Sequence, residues 1–298
     1  MTRIDHNYLT ARLEALSATE GVTACTCLTH SILGREIPLV RLGKGKRSIV
    51  LIGAQQGSEG ATAGILLDFI ADYCKQYEKN ATPYEHSMEY LWRERSIYIL
   101  PMLNPDGVAY ATAGVEEENP LYRRVLAMNG GREVFDDWEA NARGVDLSHN
   151  FSTGFSRFRQ SEAAAGILNG APRHYSGEYP ESEPETAALG RFLRAIQADL
   201  KGLLLLRGGG ERIECSCENG QTAKCMAVGR VLSRTVGYRL TQPENAVATG
   251  SVSDWCLAAL GRPAYSIFCG QEGASGDAYR ASLYERLRRA LFSFAFWV

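Results

Sequence analysis

The sequence predicts an α/β protein: a layered sandwich of sheet and helices, expected as one domain over residues 1–298. Three observations carry that expectation. Short apolar runs of strand length recur at residues 48–53, 96–102, 202–206 and 264–269. Segments with apolar residues at helical spacing lie between them. The runs also empty into small-residue or proline turns, among them Gln56-Gly57-Ser58-Glu59, Asn104-Pro105-Asp106-Gly107 and Arg207-Gly208-Gly209-Gly210. Strands alternating with helices in this way bury a common core by stacking in layers. No internal repeat, coiled coil or low-complexity linker interrupts the pattern.

In chain order, residues 1–21 read as a leading helix whose Leu9, Leu13 and Leu16 form one apolar face. Residues 22–29 and 37–42 are β-rich on either side of a turn at Gly34 and are expected to pair. The strand at 48–53 follows, then a helix that starts near Glu59 and fades near Lys75, with Ile65, Leu66, Phe69, Ile70 and Tyr73 in register. Residues 76–87 are polar and read as loop. The strand at 96–102 ends in Asn104-Pro105-Asp106-Gly107, read as a tight scaffold turn in which Asn and Asp bond to nearby backbone. Residues 122–128 read as a short outer helix, 143–151 as an extended segment with polar ends, and 152–181 as loop. Ser182 or Glu183 opens a helix to about Leu200, with Pro184 in its first turn and Glu185 favourable near its N-terminal dipole. The strand at 202–206, helices at 223–235 and 253–260, a strand at 264–269 and a terminal helix at 277–295 complete the reading. Asp254-Trp255 reads as a capped helix start.

Composition narrows the function classes. A formal net charge of -2 gives no attraction for a nucleic-acid backbone or an acidic membrane surface, so neither is expected as partner. The last apolar run, 290–298, is far shorter than the roughly 20 residues of a membrane span. Residues 1–16 lack the basic, apolar and small-residue sections of a secretory signal, and eight cysteines are too few to build a disulfide fold, so reduced thiols and a cytoplasmic location are expected.

A strand end that hands over to a helix is where open α/β proteins place ligands. Residues 48–62, SIVLIGAQQGSEGAT, are such a handover. The motifs beyond it fall in a fixed order: NPDG after a strand, RGVDLSHNF at 143–151, SGEYPESEPET at 176–186, a strand ending in RGGGE at 207–211, then Asp254-Trp255 before a last strand. In that order and context the chain resembles the zinc metallocarboxypeptidase family, over roughly residues 48–270. It looks most like the bacterial branch that cleaves γ-D-glutamyl bonds to diaminopimelic acid in cell-wall peptides. The resemblance implies a mixed, twisted, eight-stranded sheet flanked by helices, with zinc as the family cofactor.

The resemblance also marks where this chain departs from its family. The family's His-x-x-Glu zinc pair aligns with Gln56 and Glu59, and its third zinc ligand, a histidine, with Arg207. A carboxamide is a poor zinc ligand and a guanidinium offers only donors, so no metal is expected at these positions and Arg207 is expected to pair with Glu59. The family's general-base glutamate aligns with Phe268, which cannot take a proton. The Asn-Arg pair that grips the substrate carboxylate aligns with Ser148 and His149, while Arg143, Asp146, Asn150 and Phe151 match the family pattern. In active relatives the position of Asp146 orients the first zinc histidine; here it is expected to accept an amide hydrogen bond or hold its loop.

The expected function is therefore that of a catalytically degenerate carboxypeptidase-like protein. It would bind a peptide or muropeptide through Arg143, Ser148, His149 and Arg207 without hydrolysing it, with Asn104, Asp106, Asp146 and Asp254 as supporting residues. Two alternatives stand beside it. One is an active zinc peptidase with displaced ligands, for which Cys215 and Cys217 with His149 are a candidate set; a cysteine nucleophile with His149 as base is a separate reading of the same residues. The other is a structural or partner-binding protein whose cleft is closed by Phe268 and an Arg207–Glu59 salt bridge.

Overall fold

The computed structural model describes residues 3–216, 222–241, 249–270 and 276–298. Its centre is an eight-stranded mixed sheet in the order β1-β2-β4-β3-β5-β8-β6-β7. The strands are β1 (Val22–His30), β2 (Glu36–Leu42), β3 (Arg47–Ile52), β4 (Arg95–Leu100), β5 (Leu200–Gly208), β6 (Arg212–Ser216), β7 (Arg239–Thr241) and β8 (Ala264–Cys269). The core strands β4, β3, β5 and β8 run parallel, in that spatial order. Antiparallel pairs bound them: β2 with β4 on one side, and β6 with β8 on the other.

Continuous apolar runs form the central strands because both faces of the sheet are covered. Ile49, Leu51, Leu204 and Leu206 point into one core, which they share with α1 (His6–Ser17), α2 (Gly60–Glu78), α8 (Thr222–Val236) and α10 (Asp277–Trp297). Val50, Ile52, Leu203 and Leu205 point into the other, with α7 (Pro184–Ala195) and α9 (Val252–Leu260). The result is the three-layer α/β sandwich that the sequence predicts.

Helix ends follow local chemistry. Asp5 caps α1 by accepting from the Tyr8 N–H at 2.9 Å, and Ser251 caps α9 by accepting from the Asp254 N–H at 3.0 Å. Each bond satisfies a backbone donor that the helix itself cannot. The Asn104-Pro105-Asp106-Gly107 stretch differs from the isolated turn expected: it opens α4 (Pro105–Ala113), with Asn104 as the N-cap and proline in the first turn. α7 stops at Ala195, short of Leu200, because Leu200 already begins β5. The segment read as loop at 152–181 holds α6 (Phe155–Ala164), α3 (Met88–Glu94) lies beyond the loop at 76–87, and α5 (Tyr122–Met128) lies where a short helix is expected. Residues 147–149 form a 3₁₀ turn within the segment read as extended.

Among the described residues no helix is long and apolar enough to cross a membrane. Cys25, Cys27, Cys74, Cys215, Cys256 and Cys269 are free thiols, but Cys225 is disulfide-bonded, which corrects the expectation of uniformly reduced cysteines.

The sheet also fixes where a ligand site lies. The chain leaves β3 through α2 to reach β4 on one side, while β5 flanks β3 on the other. That reversal opens a crevice beyond the carboxyl ends of β3 and β5. Gln56 and Glu59 follow β3 there, and Arg207 lies near the end of β5.

Candidate functional site

Gln56 precedes a 3₁₀ turn, Gly57–Glu59, and the Glu59 carboxylate reaches back to the Gln56 N–H at 3.1 Å. The turn is pressed onto its neighbours. A Cβ at Gly57 would stand 2.5 Å from the carbonyl oxygens of both Gly107 and Trp138, so only glycine fits. This clamp sets the Gln56 and Glu59 side chains at the mouth of the crevice.

Arg207 spans both. Its Nε donates to Glu59 Oε1 at 2.8 Å and its Nη2 to Gln56 Oε1 at 2.7 Å. The Gly208 N–H adds a second donor to Glu59 Oε1 at 2.9 Å. Burial works against the guanidinium charge, and Glu59 more than offsets it, so Arg207 stays protonated. The expected pairing of Arg207 with Glu59 is thus present. Phe268, opposite Arg207 in the β5/β8 register, sets its ring beneath two cations: Arg207 Cζ lies 5.7 Å from the ring centroid and Arg212 Cζ 3.5 Å.

The amide of Gln56 faces a group of oxygens. Its Nε2 stands 3.1 Å from Glu139 Oε2, 3.3 Å from Ser148 Oγ and 3.4 Å from each Asp146 oxygen. Asp146 is fully buried. It accepts from the Ser148 N–H at 3.0 Å, the Ser148 hydroxyl at 2.6 Å and the His174 N–H at 3.1 Å. Burial alone would raise its carboxyl; His149 and these hydrogen bonds outweigh it and hold the carboxyl below the usual carboxylate range.

Glu139 is pushed the other way. Burial first, then the negative charge of Asp146, raises it to about 7 against the pull of Arg173. His149 donates through Nδ1 to the Thr249 carbonyl, 2.8 Å away, and its ring stacks on Phe158 at 3.8 Å. Its partner is a carbonyl, so Nδ1 carries the proton. Burial pulls its imidazole below the usual histidine range. Asp254 supports this contact by accepting the Thr249 N–H at 3.1 Å.

The structure thus brings together Gln56, Glu59, Asp146, Ser148, His149 and Arg207. Arg143 stands apart, with its guanidinium bound to Glu183 at 2.9 Å and 3.1 Å. Asn104 and Asp106 serve the scaffold: Asn104 Oδ1 accepts the Gly107 N–H at 2.9 Å, and the buried Asp106 carboxylate takes Arg35 at 2.6 Å. Cys215 is buried in the core with Val228 and Leu232, its thiol raised to about 12 by burial, and so fits neither a metal handle nor a nucleophile; Cys217 lies outside the described residues.

Two residues of the site have no sequence signal. Glu139 and His174 sit in irregular segments, with no motif or spacing to single them out.

The Gln56, Glu59 and Arg207 side chains do not form a zinc donor set. Glu59 alone offers a favourable oxygen, and it is engaged by Arg207, whose own nitrogens can only donate.

The sequence pattern of the zinc carboxypeptidase family matches residues 9–276. Gamma-D-glutamyl-L-diamino acid endopeptidase 1 of Lysinibacillus sphaericus is 27% identical over 82% of the chain and 60% of its own length. Carboxypeptidase B of the dog, Canis lupus familiaris, is 26% identical over 58% of the chain and 37% of its length. The chain therefore spans less than two thirds of either relative. Among solved structures, thrombin activatable fibrinolysis inhibitor superposes with a TM-score of 0.71 at 14% identity, over 98% of this chain and 73% of that one. A murein-tripeptide amidase of Escherichia coli O157 does so with a TM-score of 0.56 at 18% identity, over 93% of both chains.

Proposed function

Because this chain belongs to the zinc carboxypeptidase family, we propose that it retains the family's peptide cleft as a recognition site while lacking its hydrolytic centre. The observation that carries the reading is the double donation of Arg207 to Glu59 and Gln56. A fixed positive charge stands where a dication would be held, and the strand position expected to supply a general base carries Phe268. Hydrolysis by metal-activated water needs both the metal and the base.

What remains suits an anionic peptide end. Arg207 is 15% exposed, and its Nη1 makes no hydrogen bond among the described residues. A guanidinium with a free edge at a crevice is a carboxylate receptor. Ser148 and His149 line the same crevice. Arg143 would join only by exchanging Glu183 for the ligand.

The ligand class we propose is a peptide or muropeptide with a free carboxylate, in keeping with a relative named for γ-D-glutamyl-L-diamino acid bonds. Calorimetric titration with a γ-D-glutamyl-diaminopimelate peptide, paired with mass spectrometry of the incubated mixture, tests it. Binding without product is expected, and Arg207→Met should weaken it at least tenfold. Zinc-dependent release of diaminopimelate would sink the reading. No binding of any such peptide would favour the closed-cleft alternative, which the packing of Phe268 against Arg207 and Arg212 also supports.

A further inference from the structure

Beside the Arg207 lock lies a second group of ligand-type side chains: Asp146, His149 and His174, with one donor atom from each within 4.8 Å of the others. Three features of this group point to a cation.

The first is the tautomer of His149. Because Nδ1 gives its proton to the Thr249 carbonyl, the neutral ring presents a lone pair at Nε2. That lone pair faces Asp146 Oδ2 across 4.0 Å. Two acceptors set opposite one another at that distance leave room for a positive group between them.

The second is orientation. Metal-binding histidines characteristically use their other ring nitrogen to bond a carbonyl or carboxylate, which fixes the ring. Here Thr249 supplies the carbonyl, and Asp254 holds Thr249 through its N–H. Asp146 is likewise fixed by Ser148 and by the His174 N–H.

The third is the placement of His174. Its backbone adopts a φ of 62°, in the left-handed region that side-chain-bearing residues seldom enter. That conformation is what brings its N–H onto Asp146 and its ring within 6.1 Å of the His149 ring. The ring itself makes no hydrogen bond among the described residues.

We propose that Asp146, His149 and His174 form a three-ligand site for a divalent transition-metal ion of the zinc class. None of the three stands at a position that aligns with a zinc ligand of the family, and the proposal does not depend on the peptide-recognition reading. Two imidazoles and one carboxylate are a donor set that such ions accept, whereas calcium and magnesium prefer oxygen alone. With bonds of roughly 2.0–2.1 Å, tetrahedral ligands stand roughly 3.4 Å apart, so the 4.0 Å gap closes by about 0.6 Å on binding. Three protein ligands leave a position for water or for a carboxylate of a bound molecule. Local charge allows a dication, since Glu59, Glu139 and Asp146 share the neighbourhood with Arg207 and Arg173.

A second cluster, Cys27, His30 and Glu36, is exposed throughout and provides the control. The chelator-treated full chain is titrated with Zn²⁺ by calorimetry, its metal content is counted after dialysis, and its Co²⁺ form is read by visible absorption. One equivalent is expected, with a Co²⁺ spectrum of nitrogen and oxygen donors free of thiolate charge-transfer bands. Affinity should fall at least 100-fold in His174→Ala and in His149→Ala and be unchanged in Cys27→Ser. His174 is exposed, so its replacement tests the site without threatening the fold. The proposal is overturned by absence of binding, by full affinity in both histidine variants, or by loss of binding in Cys27→Ser. None of these readouts involves peptide binding or hydrolysis, so they separate this site from the proposed function.

Discussion

Arg207 and Glu59 form an ion pair at 2.8 Å, with the Glu59 side chain 3% exposed and that of Arg207 15% exposed. The pair joins the end of β5 to the turn after β3, so it ties together the two strand ends between which the sheet reverses direction. The Gly208 and Gln56 N–H groups donate to the Glu59 carboxylate, and the Gln56 side-chain oxygen accepts from Arg207.

Removing one partner should therefore cost far more than removing both. Arg207→Ala leaves Glu59 buried without its cation and is expected to destabilise the fold by about 3 kcal/mol. Combining it with Glu59→Gln should recover much of that loss, giving a coupling energy of about 1–3 kcal/mol. Urea denaturation of the two single variants and the double variant measures it. Additive losses would mean that the two side chains do not act as a pair.

The proposed loss of a metal centre at these residues predicts what building one there requires. Arg207→His alone replaces the blocking cation but leaves the Gln56 carboxamide, and is expected to gain no zinc. Gln56→His with Arg207→His gives two imidazoles beside Glu59, a donor set zinc accepts. In a His174→Ala background, which silences the other proposed site, dialysis should find one zinc per chain in the double variant and none in either single variant. Only the further change Phe268→Glu should allow hydrolysis of a γ-D-glutamyl peptide. If the double variant binds no zinc, the ligand substitutions are not what sets this site apart.

The strands, and the site residues attached to them, were legible because of burial on both faces. Leu203 to Leu206 alternate between the two cores, so every position is apolar and the run is visible without any partner. Arg207 interrupts that run at its end, so it stands out in the sequence as a charged residue closing a buried strand. Helix α6 gives no such signal, since its buried residues are Phe155 and Glu162 and no apolar stripe forms. Helix α3 buries only Met88 and Leu91 in seven residues. Glu139 and His174 reach the site through contacts distant in sequence, to Gln56 and Asp146 respectively, and no local pattern records those contacts.

Glu139 makes a pH prediction. Its carboxyl rises from an ordinary 4.5 to about 7 in the folded chain. Between those values the folded protein keeps a proton that the unfolded chain has lost, so stability falls as pH rises through this window and is level above it. The full effect is about 3 kcal/mol at most. Glu185, raised to about 8 by burial, adds a slope of the same sign that extends slightly higher. Glu139→Gln should thus raise stability at pH 8 by about 1–3 kcal/mol and leave the Glu185 share of the slope. A denaturation series from pH 4.5 to 8.5 decides it: an unchanged slope in the variant would show that Glu139 ionises normally.

The last prediction separates two residues of one motif. Asp106 is buried and accepts from the Ser31 hydroxyl at 2.9 Å, the Leu33 N–H at 2.9 Å and Arg35 at 2.6 Å, which ties the turn between β1 and β2 to the start of α4. Asn104, two residues earlier, caps α4 through the Gly107 N–H and reaches the Ala140 carbonyl at 3.1 Å. Asp106→Ala strands a partly buried guanidinium and two polar groups, with an expected cost of about 3–4 kcal/mol. Asn104→Ala removes the cap and the amide's donations to the Glu139 and Ala140 carbonyls, with an expected cost of about 2 kcal/mol. Hydrogen exchange distinguishes the two roles better than the totals do. Amides of residues 31–35 should lose protection in Asp106→Ala and keep it in Asn104→Ala, while those opening α4 should respond mainly to Asn104→Ala. Equal loss at both places in both variants would show the motif acting as one unit, and would leave Asp106 no separate part in holding the β1–β2 turn.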